Sequence, residues 1–174
     1  DLSCSDLVPE VGITGTPVID PSTSTLYAVA KSKVNGSYYQ YLHAIDLVTH
    51  AEQFGGPVQI QATVSGTGDG GTTVSFDAFH EAQRPGLLLQ NGHVIIGWAS
   101  HCDHTPYHGW VISYSASNIT NQEAVYNTSP NGGLSGIWMS GGGLAADSAF
   151  NTYFATGNGT YDGTAKSDYG DSIV

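Results

Sequence analysis

The chain alternates short apolar runs with clusters of Gly, Pro, Asn and Asp, and the runs favour β-branched and aromatic residues. That is the pattern of strands closed by turns. No window keeps apolar residues on one helical face for three turns without a Gly or Pro interrupting it. The pattern predicts strands at Thr16–Asp20, Leu26–Lys31, Tyr38–Asp46, Gly86–Gln90, His93–Ala99, Gly109–Ser115, Glu123–Asn127, Gly142–Asp147 and Thr152–Thr156, and a further strand opening at Asp171–Val174. The stretch from Gly55 to Gln83, with Gly66-Thr67-Gly68-Asp69-Gly70-Gly71 at its centre, reads as a long loop-like connection.

These strands repeat. Pro17-Val18-Ile19, Pro85-Gly86-Leu87 and Gly143-Leu144-Ala145 each open a unit, and a second strand follows at Leu26, Val94 and Tyr153. Third strands follow at Leu42–Asp46, Trp110–Tyr114 and Asp171–Val174. Near-constant spacing within units and variable gaps between them suit an all-β fold of radially packed sheets. The expectation is a β-propeller segment of about two and a half to three four-stranded antiparallel blades, with units at about 11–56, 57–128 and 129–174. Propellers close with about 4–8 blades, so the chain is expected to be part of a larger ring, with the remaining blades as its partners. The rival expectation is a small two-sheet sandwich.

Length and composition narrow the function. The 174 residues suffice for one domain, and 40% hydrophobic content can build a core. Fifteen acidic against four basic residues give a net charge of −11, which argues against nucleic acid and against anionic membrane surfaces. No apolar run is long enough to span a bilayer, and the first residues, Asp1 to Asp6, with neither a charged leader nor an apolar run, do not read as a targeting segment. Charged residues are only 11%, with polarity supplied by Ser, Thr, Asn and Gly, as suits a secreted or periplasmic β-protein. Asn35, Asn118, Asn127 and Asn158 have the sequence form of glycan acceptors, a motif that often arises by chance.

The segments Val11–Asp20 and Leu42-His43-Ala44-Ile45-Asp46 resemble repeats of the pyrroloquinoline-quinone (PQQ) group, the quinoprotein alcohol dehydrogenase-like propellers. Gln83–Leu87, Ser100-His101-Cys102-Asp103 and Trp138–Gly143 look like an uncharacterised secreted bacterial branch of that group. The resemblance runs from about Val11 to Val174 and implies a propeller. By resemblance alone it also implies PQQ and Ca²⁺ as cofactors and dehydrogenase activity on an alcohol or sugar. The adjacent cysteine pair of those enzymes has no counterpart here, and no calcium-binding set of Glu, Asn and Asp can be placed. No catalytic residue is therefore carried over.

In a propeller, the blade-to-blade crossover and the loop between second and third strands emerge on one face, where binding commonly resides. The segments expected there are Phe79–Arg84, Ser100–His108 and Gly157–Gly170. Candidate ligand-binding residues are Glu81, Arg84, Asp103, Trp110 and Trp138. Arg84 can grip an anion such as a sugar acid, or neutralise Glu81, Asp103 or Asp77. Trp98, Trp110 and Trp138, with Tyr107 and Tyr161, can stack on a sugar or planar cofactor or simply pack between blades. His101, His104 and His108 offer metal-ligand chemistry, or hydrogen-bond locally. Cys4 and Cys102 are candidates for a single disulfide, which would deny Cys102 any thiolate role. Asp162, Asp168 and Asp171 have oxygen ligands but no calcium-loop spacing, and read as a solvated turn. The leading reading is an extracytoplasmic module binding a ligand or partner on its loop-rich face, with a small molecule or carbohydrate as the candidate ligand. The alternatives are a PQQ-dependent oxidoreductase and a structural or adhesion module.

Overall fold

The computed structural model describes residue 7 and residues 9–174. Among the described residues there is no helix, and every sheet is antiparallel. The first sheet is a meander of β1 (Val18–Asp20), β2 (Thr25–Val34), β3 (Ser37–Asp46) and β4 (Val58–Gln59). Further along come β5 (Thr63–Ser65) and β6 (Thr73–Ser75), which form a small hairpin, and β7 (Glu81–Ala82). The second meander joins β8 (Leu88–Gln90), β9 (His93–Ser100), β10 (Trp110–Ser115) and β11 (Asn118–Asn127), and β7 pairs with the far end of β9. A third unit contributes β12 (Ala145–Ala146) and β13 (Thr152–Tyr153).

Two of the turns follow directly from sequence. Asn35-Gly36 and Asn91-Gly92 sit between paired strand ends with positive φ at both residues (50° and 87°, 48° and 80°). That is the type I′ geometry whose twist matches a hairpin, and the Asn-Gly pair adopts it at little cost.

The middle sheet is buried on both faces, with a period of two. Val94, Ile96 and Trp98 of β9, with Trp110, Ile112 and Tyr114 of β10, pack against Tyr27, Val29, Leu42 and Ala44 of the first sheet. The intervening Ile95 and Val111 pack the other way, onto Ile137, Leu144 and Phe154 of the third unit. A two-layer sandwich would leave one of these faces in solvent, so that expectation fails. The inner strands also converge: Leu87 N–H donates to Thr16 O at 2.9 Å and Gly86 N–H to Gly142 O at 2.6 Å, joining the entrances of all three units. The approach at Gly86 is close: a β-carbon would meet Gly142 O at 3.3 Å and Thr16 at 3.4 Å, so a larger residue would need its neighbours to shift slightly. Successive four-stranded meanders stacked face to face about converging inner strands are the blades of a β-propeller, and among the described residues they do not close into a ring.

Two expectations need correction. The connection from Gly55 to Gln83 is not loop alone: it carries β4 to β7 and sends Ile60 and Val74, both fully buried, into the main core. β4 also completes the first sheet beyond position 56, where the repeat spacing ends the first unit. Asp171–Val174 forms no strand; only an isolated bridge joins Ile173 to Ala155.

Candidate functional site

Three connections meet at one end of the sheets. The 66–71 loop touches the crossover after β11 through Gly68 N–H to Pro130 O at 2.9 Å and Thr67 N–H to Asn131 Oδ1 at 3.3 Å. The 157–170 loop joins them, because Asp168 Oδ1 accepts the N–H groups of Asn131 (3.0 Å) and Gly132 (3.1 Å). Asp168 is 3% exposed, so the solvated-turn expectation is wrong for this residue; it is a buried clamp between loops. The 79–84 and 100–108 segments are tied by β7–β9 pairing and by His108 N–H donating to Glu81 Oε1 at 3.2 Å.

Glu81 is the centre of this arrangement. Its backbone carbonyl accepts Gln40 Nε2 at 2.8 Å and Lys31 Nζ at 3.2 Å, both from the first sheet, so the residue is fixed at the junction of two blades. Lys31 also donates to Phe79 O at 2.7 Å. Gln40 accepts the Trp98 indole N–H at 2.8 Å and so couples this junction to the core. The Glu81 carboxyl is 1% exposed. The Trp110 indole lies near enough to favour its ionised form, yet falls short of hydrogen-bond geometry, and neither Glu81 Oε2 nor Trp110 Nε1 has a hydrogen-bond partner among the described residues.

Burial is the dominant influence on Glu81 and holds its proton on well above the usual carboxyl range; the His108 amide and Trp110 oppose this, and the Asp77 charge reinforces it. Lys31 responds in the opposite sense: desolvation pushes its ammonium down to about 8, against the pull of Asp77 and Glu81.

Glu81 borders a cavity of about 330 Å³ lined also by Gly68, Asp69, Ser75, Asp77, Tyr107 and His108. Asp77 binds Phe79 N–H at 2.8 Å and the His80 ring at 2.5 Å. His108 Nε2 meets Asp69 Oδ1 at 3.1 Å, and Nδ1 meets Ser129 O at 2.9 Å and Ser129 Oγ at 3.3 Å. The set Ser129, His108 and Asp69 has the residue types of a hydrolytic triad, but Ser129 is fully buried and its hydroxyl donates to Leu134 O at 3.2 Å. It orients His108 and cannot meet a substrate.

The other sequence candidates divide. Arg84 forms no ion pair among the described residues, so the expected pairing with Glu81, Asp103 or Asp77 is not made. Its Nε donates to Ser140 Oγ at 3.1 Å and its guanidinium lies 5.7 Å from the Trp138 ring centroid. Trp138 packs edge-on to Tyr107, whose hydroxyl donates to Asp103 Oδ1. Burial first, and the Asp103 carboxylate second, drive the Tyr107 hydroxyl far above its usual range. Cys102 and Asp103 both take positive φ (57° and 55°), which folds the loop tightly enough for that contact. Trp98 and Trp110 are fully buried and flanked edge-on by Phe76, so they serve the core and present no stacking surface.

His101, His104 and His108 are not brought together as ligands. His104 is exposed, His101 is buried, and both ring nitrogens of His108 are engaged. Among the described residues no three His, Cys, Asp or Glu side chains group as metal ligands. Cys102 is disulfide-bonded and offers no thiol; Cys4, its candidate partner, lies outside the described residues. The sequence pointed to Glu81 but not to Asp69, Gln40 or Lys31. Only the fold brings these residues, distant along the chain, to one junction.

No family model matches the chain, and no curated protein matches it. Among solved structures it is similar to the quinohemoprotein alcohol dehydrogenase ADHIIG from Pseudomonas putida HK5, at 16% identity and a TM-score of 0.46. The match covers 88% of this chain and 30% of that one, so the chain spans under a third of that enzyme's length.

Proposed function

We propose that the protein is an extracytoplasmic β-propeller module that binds a small polar ligand on its loop face, in the cavity at Glu81. One observation carries this reading: Asp69, Asp77, Tyr107 and His108 converge with Glu81 around one cavity of about 330 Å³ where the loops meet, large enough for a small ligand. The rigid junction that holds Glu81 is the kind of scaffold on which binding loops are carried. The bonded state of Cys102 supports an oxidising compartment. Further blades covering the outer flank of the first sheet, where Ile19 is 49% exposed, would complete the ring.

The test is a chemical-shift survey of the protein against a library of sugars, alcohols, amino acids and amines. Ligands are expected to perturb residues 66–71, 79–84 and 103–108 together. Ligands that perturb only the groove between the second sheet and the third unit, near Ile95 and Phe154, would overturn the reading, as would a library without a binder.

A further inference from the structure

We infer that Asn35 is a site of covalent self-modification: the native chain converts it, without an enzyme, to aspartate and isoaspartate. The inference stands apart from the cavity at Glu81.

The sequence contains four Asn-Gly steps, at Asn35, Asn91, Asn131 and Asn158. Each sets a side-chain amide beside a glycine, whose missing β-carbon leaves its backbone nitrogen open to that amide. The reaction is a ring closure. The Gly36 nitrogen attacks the side-chain carbonyl carbon of Asn35 and yields its proton to hydroxide, and the side-chain nitrogen leaves as ammonia. The five-membered imide then takes up one water. Opening at one carbonyl gives aspartate; opening at the other gives isoaspartate, with the chain running through the β-carbon. Water is the co-reactant, and nothing is oxidised or reduced.

Closure needs the glycine nitrogen released and the intervening peptide free to swing, and the fold grants this unequally. Gly132 N–H donates to Ser129 O at 3.2 Å and to Asp168 Oδ1 at 3.1 Å, and Asn131 Nδ2 is held by Ser167 Oγ at 3.0 Å. That step is locked. The Asn158 carbonyl accepts Ser135 N–H at 2.9 Å, and a β-carbon at Gly159 would fall 2.1 Å from Ser135 Oγ, so this peptide is packed in place. Asn91 stands at an exposed hairpin tip, yet Gly92 O accepts Ala116 N–H at 2.8 Å and ties the tip to the turn after β10.

Asn35 has none of these restraints. Residues 33–37 are all exposed, and a β-carbon at Gly36 would meet nothing within 4 Å. The Asn35 side chain has no hydrogen-bond partner among the described residues. Its type I′ turn must open before the ring can close, and the Val34–Ser37 rung of the β2–β3 ladder is what resists. Terminal rungs at exposed tips open at least cost. Neither core cluster includes a residue of this tip, so the blades are expected to survive the change. The product places one new negative charge two residues from Lys33.

The experiment incubates the whole chain in mildly alkaline buffer, once native and once in urea, and follows each Asn-Gly step by peptide mapping with isoaspartate detection. In the native chain Asn35 is expected to react first, about tenfold or more faster than Asn131 and Asn158, with Asn91 between them. In urea the four rates should converge, since the restraints are gone. Asn35→Gln, whose longer side chain closes a six-membered ring far more slowly, should remove the first acidic species on anion exchange. Four similar rates in the native chain, or any other site leading, would overturn the inference. So would a native chain that leaves Asn35 intact while the unfolded chain modifies it.

Discussion

Gln40 donates through Nε2 to the carbonyl of Glu81 and accepts the Trp98 indole N–H through Oε1, both at 2.8 Å. One 1%-exposed amide side chain of the first blade thereby fixes the residue at the cavity and a core tryptophan of the second blade. Removing it strands the buried Trp98 indole N–H and leaves the Glu81 carbonyl with Lys31 alone. Gln40→Ala is expected to cost about 1–3 kcal/mol, read by urea denaturation, and to loosen exchange at the Glu81 amide. A change within about 0.5 kcal/mol would show that water replaces the bridge without loss.

Stability should depend on pH through Glu81 and Lys31 with opposite signs. The folded state raises Glu81 above its ordinary value of 4.5, so it binds more protons than the unfolded state and loses stability as pH climbs from there through the folded value. Glu81→Gln should remove that decline and leave the variant more stable than the parent at neutral pH. Lys31 is lowered from 10.5 to about 8, so its contribution improves as pH rises between those values. Lys31→Met should abolish this alkaline gain. Thermal melts across pH check both; parallel curves for parent and variants would contradict the assignment.

Asp168 clamps the 157–170 loop to the crossover at Asn131 and Gly132. Asp168→Ala should cost about 1–3 kcal/mol and open that loop to protease, while Asp168→Asn, which keeps one acceptor oxygen, should lose less. Equal cleavage in both variants and the parent would remove the clamp from the account.

Gly109 follows His108 in the chain, where a β-carbon would fall 2.2 Å from Ser135 O and 2.4 Å from Thr128 Oγ1. Backbone must move to admit it. Gly109→Ala is expected to destabilise by about 1–3 kcal/mol and to shift the resonances of His108 and Ser129. An unperturbed spectrum would mean the close approach is absent in solution.

The strands legible in the sequence are those with strong alternation. β9 and β10 carry Val, Ile, Trp and Tyr on every second position, and β2 and β3 place Tyr27, Val29, Leu42 and Ala44 in the same alternation, so their faces could be read directly. β4 to β7 were hidden because each is two or three residues long and rests on single anchors such as Val74 within Ser, Thr and Gly. Glu81 stood out because it brackets an inner strand in a chain otherwise poor in charge. Its neighbours did not: Lys31 and Gln40 read as ordinary strand residues, and Asp69 is masked by glycines on both sides. Arg84 misled for the opposite reason, since a scarce base beside an acid suggests a pair. Stacking on Trp138 turns it towards Ser140 instead.

The central claim is that the junction of the two blades holds Glu81 as a buried acid, and carbon-13 NMR of its carboxyl carbon through a pH titration tests it most directly. The expected result is a carboxyl that stays protonated well past the ordinary glutamate range. A carboxyl that titrates near 4.5 would contradict it.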